Sequence, residues 1–514
     1  MSKKLSFLAM LIMLTGVVIR CAHFFLFDIV HEPYRLGGLF IAFADEIARH
    51  NFQFPVTIPY YSVGGIPFAY PPLGFYVQAV FLKIFPERIF LIANLLPPLI
   101  SVLTLGVAAW CFYQWVGAWT LKSLSAMTAY ALLPNAFYNQ VEAAGLAESF
   151  GSLALIVYFN TLIRYQERKN AASAILAGCA LALCVISSPG SALGSALISL
   201  VFVLDTLIAV GLSDKLKPYL HLLLLGVIGI VLSAPYWLSV ILNHGAGIFL
   251  NSTGMQFELS DPSVSTSKFG YLWFTFSALQ LDGVFFWTIT TFMGLVWMLS
   301  KRNFFIPLAF LAMFCIPREN TWLTAFPAAW LVACGIADVL YPVIKSLSIF
   351  TPVGKSRFLG VSLVLIALSM TLQAFELMKV QAINEYWKLE PDRIEALQKA
   401  REIIPASAQV IVLGNGGLRE WSPYLLQREV LNTEFGLEWE TEEYHKIMSA
   451  NQQLDGARNW QDIENSIKLL TDIHQIYIVS ENGKISEYFQ GVGADEFVVK
   501  MQVPGLQVSV ITLP

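Results

Sequence analysis

Of the 514 residues in this chain, 56% are hydrophobic and only 13% are charged, about half the charge of an ordinary soluble domain. That composition excludes a free water-soluble globule and makes lipid part of the solvent. The net charge of −4 hides a split: Met1–Glu376 holds 20 Lys/Arg against 16 Asp/Glu, whereas Leu377–Pro514 holds 12 against 20.

No basic patch with interleaved aromatics occurs, so nothing in the sequence supports nucleic acid as a partner. The six cysteines all fall in apolar segments and read as small buried hydrophobes. The seven histidines show no metal-ligand spacing.

The chain opens on Lys3 and Lys4, then an apolar run longer than a signal peptide's and without a small-residue cleavage site. It reads as an uncleaved first helix. Arg20 lies inside it, where an unpaired cation costs about 2.5–3.5 kcal/mol, so the sequence demands a polar partner or snorkelling. His23, one turn on, reads as a packing residue. At about 20 apolar residues per span, the candidates are 5–27, 90–115, 122–141, 147–165, 171–188, 192–211, 219–242, 283–300, 304–317, 322–343 and 358–376.

Alternate connections carry the excess of Lys and Arg: Lys122, Arg164/Arg168/Lys169, Lys215/Lys217, Lys301/Arg302 and Lys345/Lys355/Arg357. That bias predicts a multi-pass plasma-membrane protein with its amino terminus cytoplasmic and its tail outside. The expected fold is a polytopic α-helical membrane protein: about eleven transmembrane helices over residues 1–376 and an extracytoplasmic soluble α/β domain over 377–514.

The first outer connection, 28–88, is too long for a simple loop. Arg35–Asn51 has apolar residues at near-helical spacing, as in a helix lying in the interface plane. In Tyr60–Leu73, Gly64-Gly65 and Pro67, Pro71 and Pro72 forbid a regular helix, while the aromatics suit the headgroup layer. Leu73–Phe85 reads as a second interfacial helix or a re-entrant one. The second long outer connection, Asn243–Lys268, includes the glycosylation-type triplet Asn251-Ser252-Thr253. In the tail, Asp392 reads as the cap of a helix ending at Ile404. Val410–Leu413 and Gln475–Val479 read as strands with a helix over Asp462–Asp472 before the second, and Val498–Val503 with Leu506–Leu513 as a closing hairpin.

Two acids stand out. Asp28 sits at the bilayer rim directly after the first span, where a carboxylate is costly and can serve as a general base, or simply mark the helix end. Glu148 opens a strongly apolar run at the same depth and on the same side. It can orient a sugar hydroxyl, share proton handling, or sit there because a helix amino terminus favours a carboxylate. The pair leaves a divalent cation, magnesium or manganese, open as a cofactor, with Asp28 and Glu148 its carboxylates. Glu142, in a polar turn, is a substrate-binding candidate as well, although it fits the helix-start reading better. Arg318, in the turn Pro317–Asn320, has a planar guanidinium suited to a lipid phosphate, or is a snorkelling arginine. His31 and Arg35 are further phosphate candidates, and Tyr70 is a stacking candidate for sugar.

These features resemble the GT-C superfamily of polytopic membrane glycosyltransferases, in which an acid follows the first span and precedes interfacial helices. Asp28 with His31, the run Gly64–Pro72, Glu148, Arg318, and the tail motif Arg419–Tyr424 with Arg428 and Gly436–Trp439 carry the likeness. It implies a polyprenyl-phosphate-linked sugar donor, a glycan or lipid acceptor, and inverting transfer on the non-cytoplasmic face. In that reading Asp28 is the general base, Glu148 assists and Arg318 steadies the departing phosphate. The chain lacks the paired acids of protein mannosyltransferases after the first span and the Trp-Trp-Asp signature of oligosaccharyltransferases in the tail. The competing reading is a lipid or glycan flippase without transfer chemistry, which would predict internal repeats and charges near the bilayer midplane.

Overall fold

The computed structural model describes residues 2–26, 28–210, 216–251, 286–316, 320–346, 352–382, 384–457, 460–473, 475–481, 497–503 and 506–512. The first helix, α1 (Ser2–Arg20), stops at its arginine, and a 3-10 turn over Ala22–Phe25 follows in place of the expected continuation to 27. Arg20 is fully buried. Its guanidinium donates to the carbonyls of Gly16, Ala131 and Tyr130 at 3.0–3.2 Å and lies against the rings of Tyr130 and Phe137. The required partner is main-chain oxygen plus aromatic faces.

Two helices of the first connection come next, α2 (Gly38–Arg49) and α3 (Leu73–Ile84), on either side of a two-stranded hairpin, β1 (Thr57–Ile58) and β2 (Ile66–Pro67). The bundle continues with α4 (Ile89–Val116), α5 (Leu121–Leu132), α6 (Leu146–Arg168), α7 (Ala171–Ser187), α8 (Pro189–Val210) and α9 (Leu216–His244). After these come α10 (Phe286–Ser300), α11 (Phe305–Phe314) and α12 (Asn320–Cys334) with a π-helical turn over Gly335–Leu340, then α13 (Tyr341–Ser346) and α14 (Pro352–Ala382). Each expected span overlaps a helix. Among the described residues, five are long and apolar enough to cross a bilayer: Ile89–Val116, Ala143–Arg168, Pro189–Ile208, Pro218–His244 and Trp322–Ser346.

Three expectations need correction. The span 122–141 is not one helix. Leu133 turns extended ahead of Pro134, and three 3-10 turns carry the chain to Gly145, as expected where the residue before proline is steered out of the α region. The span 304–317 holds only the ten residues of α11. The third correction concerns direction. Lys122 pairs with Asp338, so the end of the π turn lies at the Lys122 end of the bundle. Gly294 packs on the Leu331 carbonyl and Gly335 on the Thr290 carbonyl, so α10 runs antiparallel to α12. Phe286 and Trp287 accordingly line an apolar cavity with Leu5, Leu8 and Thr120. Helix α10 therefore starts at the amino-terminal end of the bundle, against the direction that the span count gives it, while Phe305, just past Arg302, packs on Phe159 and Phe202 beyond the midpoints of α6 and α8.

The tail folds as an α/β unit of α15 (Pro391–Ile403), β3 (Gln409–Leu413), α16 (Gly416–Leu426), β4 (Glu429–Val430), α17 (Thr441–Gly456), α18 (Trp460–Leu470), β5 (Gln475–Glu481), β6 (Phe497–Val503) and β7 (Leu506–Thr512). Glu390, not Asp392, is the N-cap of α15, with Asp392 in its first turn, where a carboxylate still offsets the helix dipole. The sheet order is β4-β3-β5-β7-β6, parallel for the first three strands and antiparallel for the closing hairpin.

The unit does not stand apart from the membrane body. One apolar cluster joins Phe43, Ile58, Ile66 and Phe68 of the first connection to Ile411, Leu437, Ile447 and Ile476 of the α/β unit. The short edge strand β4 is capped by the connection itself: Val430 N–H donates to the Tyr60 carbonyl (3.0 Å) and Ser62 N–H to the Val430 carbonyl (3.2 Å). An edge that would invite foreign pairing is thereby covered.

Candidate functional site

Asp28 sits in the connection after α1, in a tight turn. Its carboxylate accepts from Val30 N–H (3.0 Å) and meets His31 Nδ1 (2.8 Å), and its carbonyl accepts from the N–H of His31 and Glu32. The His31 hydrogen bond, joined by the Val30 N–H, holds the Asp28 carboxyl below the usual carboxylate range, so it is ionised at neutral pH and able to accept a proton. Half of the side chain stays exposed.

What fixes this turn is Asn94, fully buried on α4. Its Nδ2 donates to the carbonyls of Ile29 (2.9 Å) and Glu32 (2.7 Å), and its Oδ1 accepts from Tyr34 N–H (2.8 Å). One amide on a membrane helix thus reads the loop at three points around Asp28 and His31. Behind it, His23 stacks on Tyr34 with centroids 4.7 Å apart, as its reading as a packing residue anticipates.

Arg35 and Glu142 come together as an ion pair at 2.6 Å, both side chains more than four-fifths buried. Leu36 accepts from Ala144 N–H (2.9 Å), and Gly37 lies so close to Ala143 that no side chain would fit between them. The first connection is therefore stitched to the 3-10 turns before α6, the helix that carries Glu148 in its first turn. Gly74 of α3 packs on Leu146 and Phe150 of the same turn. One turn further, Gly151 meets Ser188, Ser191 and Trp322, which brings the starts of α8 and α12 to the Glu148 end of α6. Asp28 and Glu148 therefore lie at one end of the bundle, on segments that touch through Arg35–Glu142 and Leu36–Ala144.

Tyr70 stands in an aromatic wall with Phe40 (5.5 Å), Phe75 (6.0 Å) and Trp439 (5.5 Å between centroids). Arg318 lies outside the described residues; Trp322, four positions on, is within them. Ser252 and Thr253 lie outside as well, while Asn251 donates to the Trp439 carbonyl at 3.4 Å. Among the described residues no three His, Cys, Asp or Glu side chains converge as a metal cage.

Sequence reasoning missed the contribution of the tail. Glu420, buried on α16, accepts from the N–H groups of Gly37 (3.1 Å), Gly38 (2.9 Å) and Leu39 (2.8 Å). It is the N-cap of α2, supplied from nearly 400 residues away. Its neighbour Trp421 donates Nε1–H to the Arg35 carbonyl (2.9 Å). A charged pair of residue types inside an otherwise apolar helix was the available signal. Burial outweighs the three N–H donors and pushes the Glu420 carboxyl up to about 7.

A polytopic helical bundle with a docked α/β unit, joined through an acid-bearing first connection, is the class of membrane protein that these elements define. No protein family profile matches the sequence, and no curated protein is similar to it. Solved structures are similar in fold. ArnT from Cupriavidus metallidurans, bound to undecaprenyl phosphate, aligns over 98% of this chain and 97% of its own with a TM-score of 0.63 and 14% identity. The oligosaccharyltransferase AglB from Archaeoglobus fulgidus, in complex with an inhibitory peptide and a dolichol-phosphate, aligns over 93% of this chain and 69% of its own, with a TM-score of 0.60 and 15% identity. The mycobacterial arabinofuranosyltransferase AftD aligns over 100% of this chain and 42% of its own, at a TM-score of 0.53 and 10% identity. The chain has the fold of the GT-C membrane glycosyltransferases.

Two outcomes follow from this geometry. Asn94→Leu leaves two carbonyls and one N–H around Asp28 without their partner, at about 1–3 kcal/mol each where water cannot replace it. The melting midpoint should fall, whereas Asn94→Ser, which keeps an acceptor and a donor, recovers part of it. For Glu420 the sign is set by a folded pKa raised above the ordinary 4.5. Its favourable contribution is complete below about 4.5 and is lost as pH rises through about 7, on the order of 3 kcal/mol. The melting midpoint of Glu420→Gln should therefore vary less than that of the native chain across this window.

Proposed function

We propose that this protein is a membrane glycosyltransferase that takes a sugar from a polyprenyl-phosphate-linked donor and passes it to a glycan or lipid acceptor on the non-cytoplasmic face. The observation that carries the reading is the placement of an ionised Asp28, in a loop locked by Asn94, at the end of a GT-C fold where the Glu148 turn also lies. The likeness to polyprenyl-phosphate-bound and dolichol-phosphate-bound structures over nearly the whole chain supports the donor class.

In the proposed step an acceptor hydroxyl attacks the anomeric carbon while its proton passes to a carboxylate oxygen of Asp28. The bond from the anomeric carbon to the phosphate oxygen breaks, and the electron pair leaves with the carrier phosphate. Attack from the face opposite the phosphate inverts the anomeric centre. His31, hydrogen-bonded to Asp28, orients the base. Glu148 would hold a sugar hydroxyl, and Tyr70 would present its ring to the sugar. Arg318 would face the departing phosphate, where a fixed cation favours the developing charge. Arg35 and Glu142 neutralise one another, so their role here is to hold the loop rather than to bind phosphate.

Asp28→Asn removes the proton acceptor with little change in shape. In a reconstituted assay with a polyprenyl-phosphate sugar, transfer should drop by about 10²- to 10⁴-fold while the melting midpoint stays put. Retained activity would remove Asp28 as the base. Undiminished lipid translocation with no transfer in the native chain would favour the flippase reading.

A further inference from the structure

The α/β unit holds a feature that the transfer step does not use. Its strands β3 and β4 are parallel neighbours, yet the chain leaves them for opposite faces of the sheet. From β3 it enters α16, whose Leu418 and Leu426 pack with Val410 and Val412. From β4 it passes to α17, whose Ile447 and Leu454 pack with Ile411 and Ile478 on the other face. Diverging connections open a crevice at the carboxyl ends of such strands, the place where open α/β sheets take their ligands.

Asn432 forms the floor of that crevice. Its amide accepts from Val412 N–H and donates to the Val412 carbonyl, both at 2.9 Å, and Asn451 links it to the Glu434 carboxylate (3.0 Å). Above this satisfied floor the pairing runs out. Arg419 is only 4% exposed, yet of the five N–H donors of a guanidinium it uses only those of Nη2. They reach the Tyr386 hydroxyl (3.1 Å) and Asp455 (3.4 Å), while Nε has no partner among the described residues. The Thr433 hydroxyl, fully buried just past β4, has none either. Buried polar groups left in this state are costly, and a ligand that brings hydroxyls relieves them.

The mouth is framed by the turn Glu385–Trp387 between α14 and α15. Trp387 packs on Gly416 and Gly417 beyond β3 and lies 6.4 Å from the Phe435 ring beyond β4, so it spans the crevice. Tyr386 stands edge-on to it at 4.5 Å and is half exposed, and Asp455 at the same guanidinium is exposed. The charge excludes a phosphate: Glu434 and Asp455 flank the single Arg419, and Glu481 already takes the Asn415 N–H at 3.2 Å. An added peptide strand finds the β4 edge covered by Tyr60 and Ser62. A neutral polyhydroxyl fits, with rings for its C–H face and an acid and a guanidinium for its hydroxyls.

We propose that this mouth is a subsite for one sugar unit of a glycan acceptor, stacked on Tyr386 and hydrogen-bonded to Asp455 and Arg419. The inference rests on the transferase reading and narrows its acceptor from glycan or lipid to glycan. Trp387 packs on the first turn of α16, and the next turn sets Glu420 and Trp421 on the first connection. A bound glycan would therefore be held on the outer wall of the loop that bears Asp28.

The test uses the full chain in nanodiscs, in an Asp28→Asn background so that nothing turns over. Maltotetraose, cellotetraose, chitotetraose and mannotetraose are titrated and read by saturation-transfer NMR. At least one should bind. Tyr386→Ala and Asp455→Ala should each weaken it about tenfold or more, the loss of one contact to a charged or aromatic partner, with the melting midpoint unchanged. Tyr386→Phe, which keeps the ring, should retain most of the affinity, and Glu395→Gln on α15 should change nothing. No binding by any tetrasaccharide overturns the subsite, as does equal binding in the native and both Ala proteins. Displacement by an uncharged octapeptide of Gly, Ser and Asn also overturns it and hands the mouth to a peptide. Transfer to a lipid acceptor without tetrasaccharide binding sinks the subsite alone. Tetrasaccharide binding without transfer by the native chain keeps the sugar site and sinks the transferase reading.

Discussion

The arrangement rests on a single buried carboxylate. Glu420 closes the amino terminus of α2 by accepting three consecutive main-chain N–H groups. A helix start buried under another domain cannot be left open, because each orphan N–H costs what a lost hydrogen bond costs. With that end closed, Trp421 can take the Arg35 carbonyl, the Tyr60–Ser62 segment can extend the sheet edge, and Gly436 can admit Ile66 and Leu39 against its backbone. The α/β unit is therefore the outer wall of the first connection. The loop that bears Asp28 is gripped from below by Asn94 on α4 and, at its far end, from above by α16. Neither grip alone fixes it, since Asn94 reaches residues 29–34 and Glu420 residues 37–39.

Much of the fold was legible from composition and periodicity. The interfacial helices at 38–49 and 73–84, the strands at 409–413 and 475–481 and the closing hairpin all fall where alternation or near-helical spacing puts them. Helices α16 and α17 are not among the expected elements, because the charges of Arg419-Glu420 and Glu442-Glu443 interrupt the apolar spacing, although α16 is buried almost throughout. The break after Leu132 is written in Pro134, but hydropathy averaging runs across a single proline. The direction of α10 was beyond reach for a different reason. Charge bias counts loops and assumes that every apolar run crosses once, and a ten-residue helix such as α11 violates that assumption.

At the site, single residues were legible but partnerships were not. Asp28 and Glu148 are conspicuous because a carboxylate beside an apolar run has few cheap explanations. Arg35 and Glu142 each carried a separate candidate role in sequence, and they stand 107 positions apart. Only the fold reveals that they neutralise one another. Asn94 carried a signal of the same kind, a lone amide inside an apolar span, whose hydrogen bonds had to go somewhere. They go to the loop backbone, which is why an amide serves where a hydrophobe would have packed equally well.

The same logic separates the two ends of the bundle. At the end near Lys122, the cation is met by Asp338 and by the Trp330 ring, so charge there is satisfied within the protein. At the other end the pairing divides. Arg35 is spent on Glu142 deep in the structure, while Asp28 keeps half of its side chain exposed. Charges closed on each other hold shape, and charges left facing outward are the ones available to a substrate or a lipid head group. By that criterion Arg35 serves the architecture of the loop and Asp28 stays available as the proposed proton acceptor, although the two are only seven residues apart. The first connection thus divides its labour within a single loop: a rigid segment anchored by buried pairs, and beside it a half-exposed acid whose geometry that anchoring sets.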